Sequence, residues 1–282
     1  MVESTRPKLT LLVPNRTLLA IGTAGSALAL VILGVSILLR LTTLFAEDGH
    51  PISALPAGVE SAVRMLHRLA ASGVGLLALW ATGLCWRRRP LRAKAAMPIT
   101  WIVAATVLLA AIGPLTPGYR FTAVTVANVV GGTVLLMSFW WLREALAAAP
   151  TGTRGRDPLL LPALLAFLAH VGVGAAASAL EMRGIRWVAL IHMGSAVFVV
   201  VLFGALLWAR HGRPPLTRLV TTTTLLLAAQ AVLGIVLMGL DQRPVWLGLL
   251  HAMMSPLLAA SLVSIAARDS TGGQTTREGA TL

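Results

Sequence analysis

Long apolar runs, each about twenty residues long and broken by short polar or basic connections, pattern the chain from end to end. An α-helix rises 1.5 Å per residue, so roughly 20 mostly apolar residues cross the hydrocarbon core of a bilayer. Eight such runs are read, at about 17–40, 62–85, 98–116, 122–142, 159–180, 187–208, 219–240 and 245–267. Their short connections predict antiparallel neighbours. The first run, Thr17 to Arg40, is too long for a signal peptide and lacks its small-residue cleavage pattern, which predicts a retained span. The tail from Arg268, with Ser270, Thr271, Gly272 and Gly273, reads as a disordered end. The expected fold is an all-α integral membrane protein of eight transmembrane helices in two tandem four-helix bundles.

Composition agrees with that pattern. Hydrophobic residues make up 57% of the chain and charged residues 12%, about half the usual share of a soluble domain. With a mean hydropathy of +0.83, these values exclude a soluble enzyme, a disordered chain and a disulfide scaffold. A single cysteine, Cys85, forms no internal bridge. The isoelectric point near 11.8 does not point to nucleic acid, because the basic residues sit between apolar runs rather than on one amphipathic face. They are instead distributed by side. Sixteen fall on the side of the termini, among them Arg87, Arg88, Arg89, Arg92 and Lys94 between the second and third runs. Seven fall on the other side: Arg120, Arg183, Arg186 and Arg243, with Arg40, Arg64 and Arg68 at helix ends. Basic residues concentrate in cytoplasmic loops, so both termini are expected in the cytoplasm of a bacterial-type inner membrane.

The two halves superpose. His67 falls on His192 at an offset of 125, Asn128 on His251 at 123, and Arg120 on Arg243. A four-helix unit duplicated in tandem explains this, with both copies in one orientation because each has an even number of spans. The expected divisions are an N-terminus at 1–16, a first unit at 17–144, a second unit at 159–267 and a tail at 268–282.

Of six histidines, His50 and His211 fall in connections and carry no special signal. His67, His170, His192 and His251 lie in spans, where an ionisable side chain is costly and usually faces the protein interior. By helical rise, His67, His192 and His251 sit at one depth, roughly 8 Å inside the outer surface. Three imidazoles in one plane of an apolar bundle suggest ligation, and haem iron takes axial ligands from facing helices. His192 and His251, on the sixth and eighth helices, are placed to clamp one haem. His170 counts about 8 Å deeper and reads as a hydrogen-bonded interhelical contact, with Gly172 and Gly174 marking close helix packing. No His-Glu-x-x-His, paired cysteine or carboxylate cluster supports a zinc or di-iron site.

The stretch Met65-Leu66-His67-Arg68-Leu69-Ala70-Ala71-Ser72-Gly73-Val74-Gly75 resembles the His-Arg helix of the heme A synthase family. Ile191-His192-Met193 and Leu250-His251-Ala252 resemble its second-half histidine helices, and Gln230-Ala231-Val232-Leu233-Gly234 its Gln-x-x-Leu-Gly helix. The resemblance runs from about residue 17 to 267. It implies a haem b between His192 and His251. It also implies a first half that takes haem O near His67 and Arg68 and oxidises its C8 methyl to the formyl group of haem A, for cytochrome oxidase assembly. Haem O synthase or respiratory-complex subunits would be partners, in the lipid bilayer. The chain departs from the family pattern where a second N-terminal histidine falls on Asn128 and a glutamate falls on Arg64. Outer-loop cysteine pairs are absent too.

Glu60, seven residues before His67 and on the same helical face, is the acid nearest to the missing glutamate. At the start of its helix it also reads as a solvated, dipole-favoured acid. Arg64 suits a haem propionate, since arginine binds carboxylates bidentately, and Arg68, Arg120, Arg186 and Arg243 share that rim. Each also reads as an interfacial side chain reaching for water. Trp187 and Trp246 fit an interfacial belt. The leading function is a haem A-forming oxidoreductase of the heme A synthase type, the alternative is a non-catalytic haem b relay or structural subunit of a respiratory complex, and a transporter is the third. The last has least support, because no span carries a broken, charged midplane.

Overall fold

The computed structural model describes residues 9–47, 55–116, 121–147, 158–181, 185, 187–213, 216–240 and 244–269. Eight helices follow in chain order. They are α1 (Leu9–Glu47), α2 (Ala57–Arg87), α3 (Arg89–Ile112), α4 (Thr122–Ala147), α5 (Leu160–Glu181), α6 (Trp187–Trp208), α7 (Thr217–Gly239) and α8 (Val245–Asp269). All eight are long and apolar enough to span a membrane, and no strand occurs among the described residues. The protein is an all-α, multi-pass membrane protein.

The helices overrun the apolar runs where local chemistry favours helix. α3 starts at Arg89, nine residues before its apolar stretch, because Pro90 in the first turn has a backbone angle already suited to helix. The turn after α6 closes on Gly212 at φ 79, a left-handed conformation that a side chain would strain.

Close approaches fix the directions. A Cβ on Gly22, Gly25 or Gly132 would meet Arg143, Phe139 or Leu33, so α1 and α4 run antiparallel with matched register. Gly131 meets Leu109 of α3, and Gly73 meets Leu28 of α1. α4 and α8 instead run parallel. Trp140 Nε1 donates to Ser264 Oγ at 2.7 Å, and Arg268 Nε donates to Glu144 Oε2 at 3.4 Å, both 124 residues apart. That separation lies between the offsets of 123 and 125 read from the sequence.

The end of the bundle shared by α4, α6 and α8 carries one buried and one half-buried carboxylate. Glu144, 3% exposed, is flanked by Arg143 and Arg268. Asp269 takes Arg210 at 2.9 Å and Arg213 at 2.6 Å, tying the end of α6 to the end of α8. Burial pushes the Arg210 guanidinium below its usual range, and Asp269 opposes that push.

Two apolar cores result. One joins α1 to α4 around Leu18, Leu33, Ile102, Leu136 and Phe139, and the other joins Met137 of α4 to α5–α8 around Phe167, Phe203, Leu258 and Leu262. Their closure differs. In the first unit α1 packs along α4 and α2 along α3. At the corresponding seams of the second unit, α5 meets α8 and α6 meets α7 at only a few residues. The second unit is thus two hairpins, α5–α6 and α7–α8, that pack tightly within themselves and loosely on each other.

Candidate functional site

The loose seam holds three imidazoles. His192 is the sixth residue of α6, and its ring stacks on the ring of His170 from α5, with centroids 4.4 Å apart and planes 8° from parallel. His170 Nδ1 lies 2.8 Å from Ser195 Oγ, whose hydroxyl donates to the His192 carbonyl at 2.8 Å. That hydroxyl has one proton, so Ser195 accepts from His170 and the His170 proton is on Nδ1. On the same face of α5, one turn on, Gly174 makes room for His192, since a Cβ there would stand 2.7 Å from His192 Cε1.

His251, in the second turn of α8, has a similar setting on α7. Gln230 Nε2 stands 3.4 Å from His251 Nε2 and donates to Ser255 Oγ at 3.2 Å. One turn on, Gly234 faces the ring, where a Cβ would lie 3.2 Å from Cε1. His251 is close enough to interact electrostatically with both His170 and His192.

Three buried polar atoms here have no protein partner: Nδ1 of His192, Nδ1 of His251 and Oε1 of Gln230. An unsatisfied buried group costs about 1–3 kcal/mol, so three in one seam need a reason. Among the described residues, no three His, Cys, Asp or Glu side chains converge to hold a metal ion. A haem asks less of the protein, because the porphyrin supplies four nitrogens and leaves two axial positions. Two imidazoles from facing hairpins, each with an unpartnered nitrogen and a glycine against its ring, fit that demand.

The expected depth of His170 needs correction. Its interhelical hydrogen bond is present, but its ring lies against His192 rather than in a deeper layer. Counting residues from a helix end measures depth only when neighbouring helices end at one level, and α5 and α6 do not. The common level of His67 and His251 does appear, through α1. His67 Nδ1 pairs with Ser36 Oγ at 3.1 Å, while Gly34 faces Met253 and Leu41 faces Gly248 on either side of that point.

The first unit is arranged differently. Asn128 Nδ2 donates to Thr116 Oγ1 at 2.9 Å, so Asn128 and His67 are engaged by different partners. Arg64, expected on a propionate, pairs with Glu60 at 2.6 Å, one turn away on exposed α2. That pair also occupies Glu60, the candidate acid, at the water-facing start of the helix. Arg68 is exposed, and Trp187 and Trp246 are exposed at the starts of α6 and α8. Arg120, Arg186, Arg243 and His50 lie outside the described residues, while His211 sits in the turn after α6. Arg40 was legible only as a helix-end cation; in the structure it is 7% exposed on α1, one turn beyond Ser36.

No protein-family model matches this chain, and no curated protein matches it.

Proposed function

We propose that this chain is a haem-binding membrane protein of the heme A synthase type, with haem b held between His192 and His251 in the seam of its second unit. One observation carries the reading: the seam is loosely packed and presents two imidazoles with buried, unpartnered nitrogens, while the matching seam of the first unit is packed shut. Bound there, haem supplies one-electron carriage. The residues would hold the group: Gly174 and Gly234 admit the two rings. Electron relay, or a structural place in a respiratory complex, is the function this arrangement serves most directly.

Oxidation of haem O to haem A in the first unit is the second reading. His67 and its following Arg68 favour it, in the setting that resembles the family helix. It must work without a histidine at 128 and with Glu60 held by Arg64. The charge asymmetry of the connections supports cytoplasmic termini in a bacterial-type inner membrane.

The test is the haem spectrum of the purified protein with extracted haem identified by mass. Two imidazole ligands give a sharp low-spin reduced α-band, and His192→Ala or His251→Ala abolishes it or converts it to high spin. If both variants keep the wild-type spectrum, the ligand assignment fails. Haem O or haem A extracted with haem b would favour the oxidising reading, and haem b alone the relay.

A further inference from the structure

We infer that His170 and Gln230 are matching positioning residues, one for each ligand histidine, each set four residues before the glycine that admits its ligand's ring. The inference rests on the haem reading above and extends it to two helices that carry no ligand. Residues four apart share a helix face, so His170 with Gly174 on α5, and Gln230 with Gly234 on α7, each present a polar group above a gap. His192 lies in the first of these settings and His251 in the second. The two act by different chemistry. His170 is 8% exposed and its ring is fixed by the hydrogen bond to Ser195, so it sets the plane of the His192 ring by stacking. Ser195 ties both to α6 through the His192 carbonyl.

Gln230 acts through a proton. As placed, its Nε2 faces the His251 ring and its Oε1 is buried without a partner. A half-turn of the amide brings Oε1 to the ring instead. The facing nitrogen then carries the proton, and the opposite nitrogen, also without a protein partner, keeps its lone pair for a metal. An acceptor on the outer ring N–H raises the basicity of a metal-bound imidazole and fixes its orientation.

The experiment uses the purified holoprotein and reads the haem's midpoint potential and low-field EPR line. Gln230→Leu removes the acceptor and raises the potential, whereas Gln230→Glu strengthens it and lowers the potential. A merely structural role would not give opposite signs. His170→Ala shifts the EPR line, and His170→Phe, which keeps the stack without the hydrogen bond, returns it toward the wild-type position. Potentials of Gln230→Leu and Gln230→Glu that do not separate, or an EPR line unmoved in His170→Ala, overturn the inference while leaving the ligands in place. A wild-type protein without haem b, or an unchanged spectrum in His192→Ala, overturns the haem reading itself and this inference with it. If Gln230→Leu fails to fold, the sign of Gln230→Glu against wild type decides.

Discussion

Gly174→Ala places one methyl group against the ring of His192. The added Cβ would stand 2.7 Å from Cε1, 3.1 Å from Nδ1 and 3.3 Å from Nε2. Relaxed carbon–carbon contacts lie at about 3.5–4.0 Å, so the ring must move by about 1 Å. It has little room to recoil, because the stack on His170 and the Ser195 bond hold it to the same helix face. Overpacking of this kind costs about 1–3 kcal/mol, at roughly 2–4 °C of Tm per kcal/mol for a chain of this size. A metal–ligand bond tolerates about 0.2 Å, so a haem iron held by His192 would lose that ligand on a displacement of about 1 Å. The expected outcome is a lowered Tm in detergent and a shift of the haem spectrum from low toward high spin. Gly194→Ala is the control: it lies two residues from His192 on α6, and a Cβ there meets nothing within 4 Å. A Gly174→Ala protein with wild-type Tm and spectrum would show that the His192 ring does not pack against α5 at Gly174.

Glu144→Gln removes the negative charge between Arg143 and Arg268 at the α4–α8 contact. Both arginines are partly exposed, so the cost falls to about 1–2 kcal/mol rather than the 3–5 of a fully buried pair, and Tm should drop by a few degrees. No loss of Tm would show that the buried carboxylate ties nothing together. Asn128→His restores a histidine to the first unit; a second low-spin signal is expected only if that packed seam opens, and its appearance would favour haem chemistry there. A reporter fused after Leu282 should be active on the cytoplasmic side, and periplasmic activity would reverse the assigned orientation.

The fold was legible because a membrane span is a one-dimensional signal. Eight apolar runs sufficed for eight helices, and only their ends escaped, as at Arg89, where proline and charge rather than hydropathy begin the helix. Spacing alone put His192 in the second turn of α6 and His251 in the second turn of α8. What spacing could not show was rotation and relative height. His170 read as a deeper, separate contact because its depth was counted along α5, while its ring in fact covers a neighbour's. The salt bridge of Glu60 with Arg64 was written in their spacing of four residues, but the family pattern drew attention to His67 instead. Arg40 gave no signal, since burial of an arginine near a helix end depends on which neighbour covers it.

The asymmetry between the halves has a cause in particular side chains. On the duplication read from the sequence, the two units would begin with equal seams. In the first unit Leu33 fills against Gly132 and Phe139 against Gly25, which draws α1 onto α4 and closes the seam. In the second, Gly174 and Gly234 are taken up by imidazoles from within their own hairpins, so neither glycine draws the hairpins together. The positions 123 residues before Gln230 and Gly234, the offset that matches Arg120 with Arg243, hold Val107 and Ala111. The first unit therefore has neither the polar group nor the gap that α7 offers His251. Burial of a seam and provision of a ligand cradle compete for the same helix faces. Here the seam of the first unit is closed into an apolar core, and the seam of the second keeps buried hydrogen-bonding atoms without a protein partner.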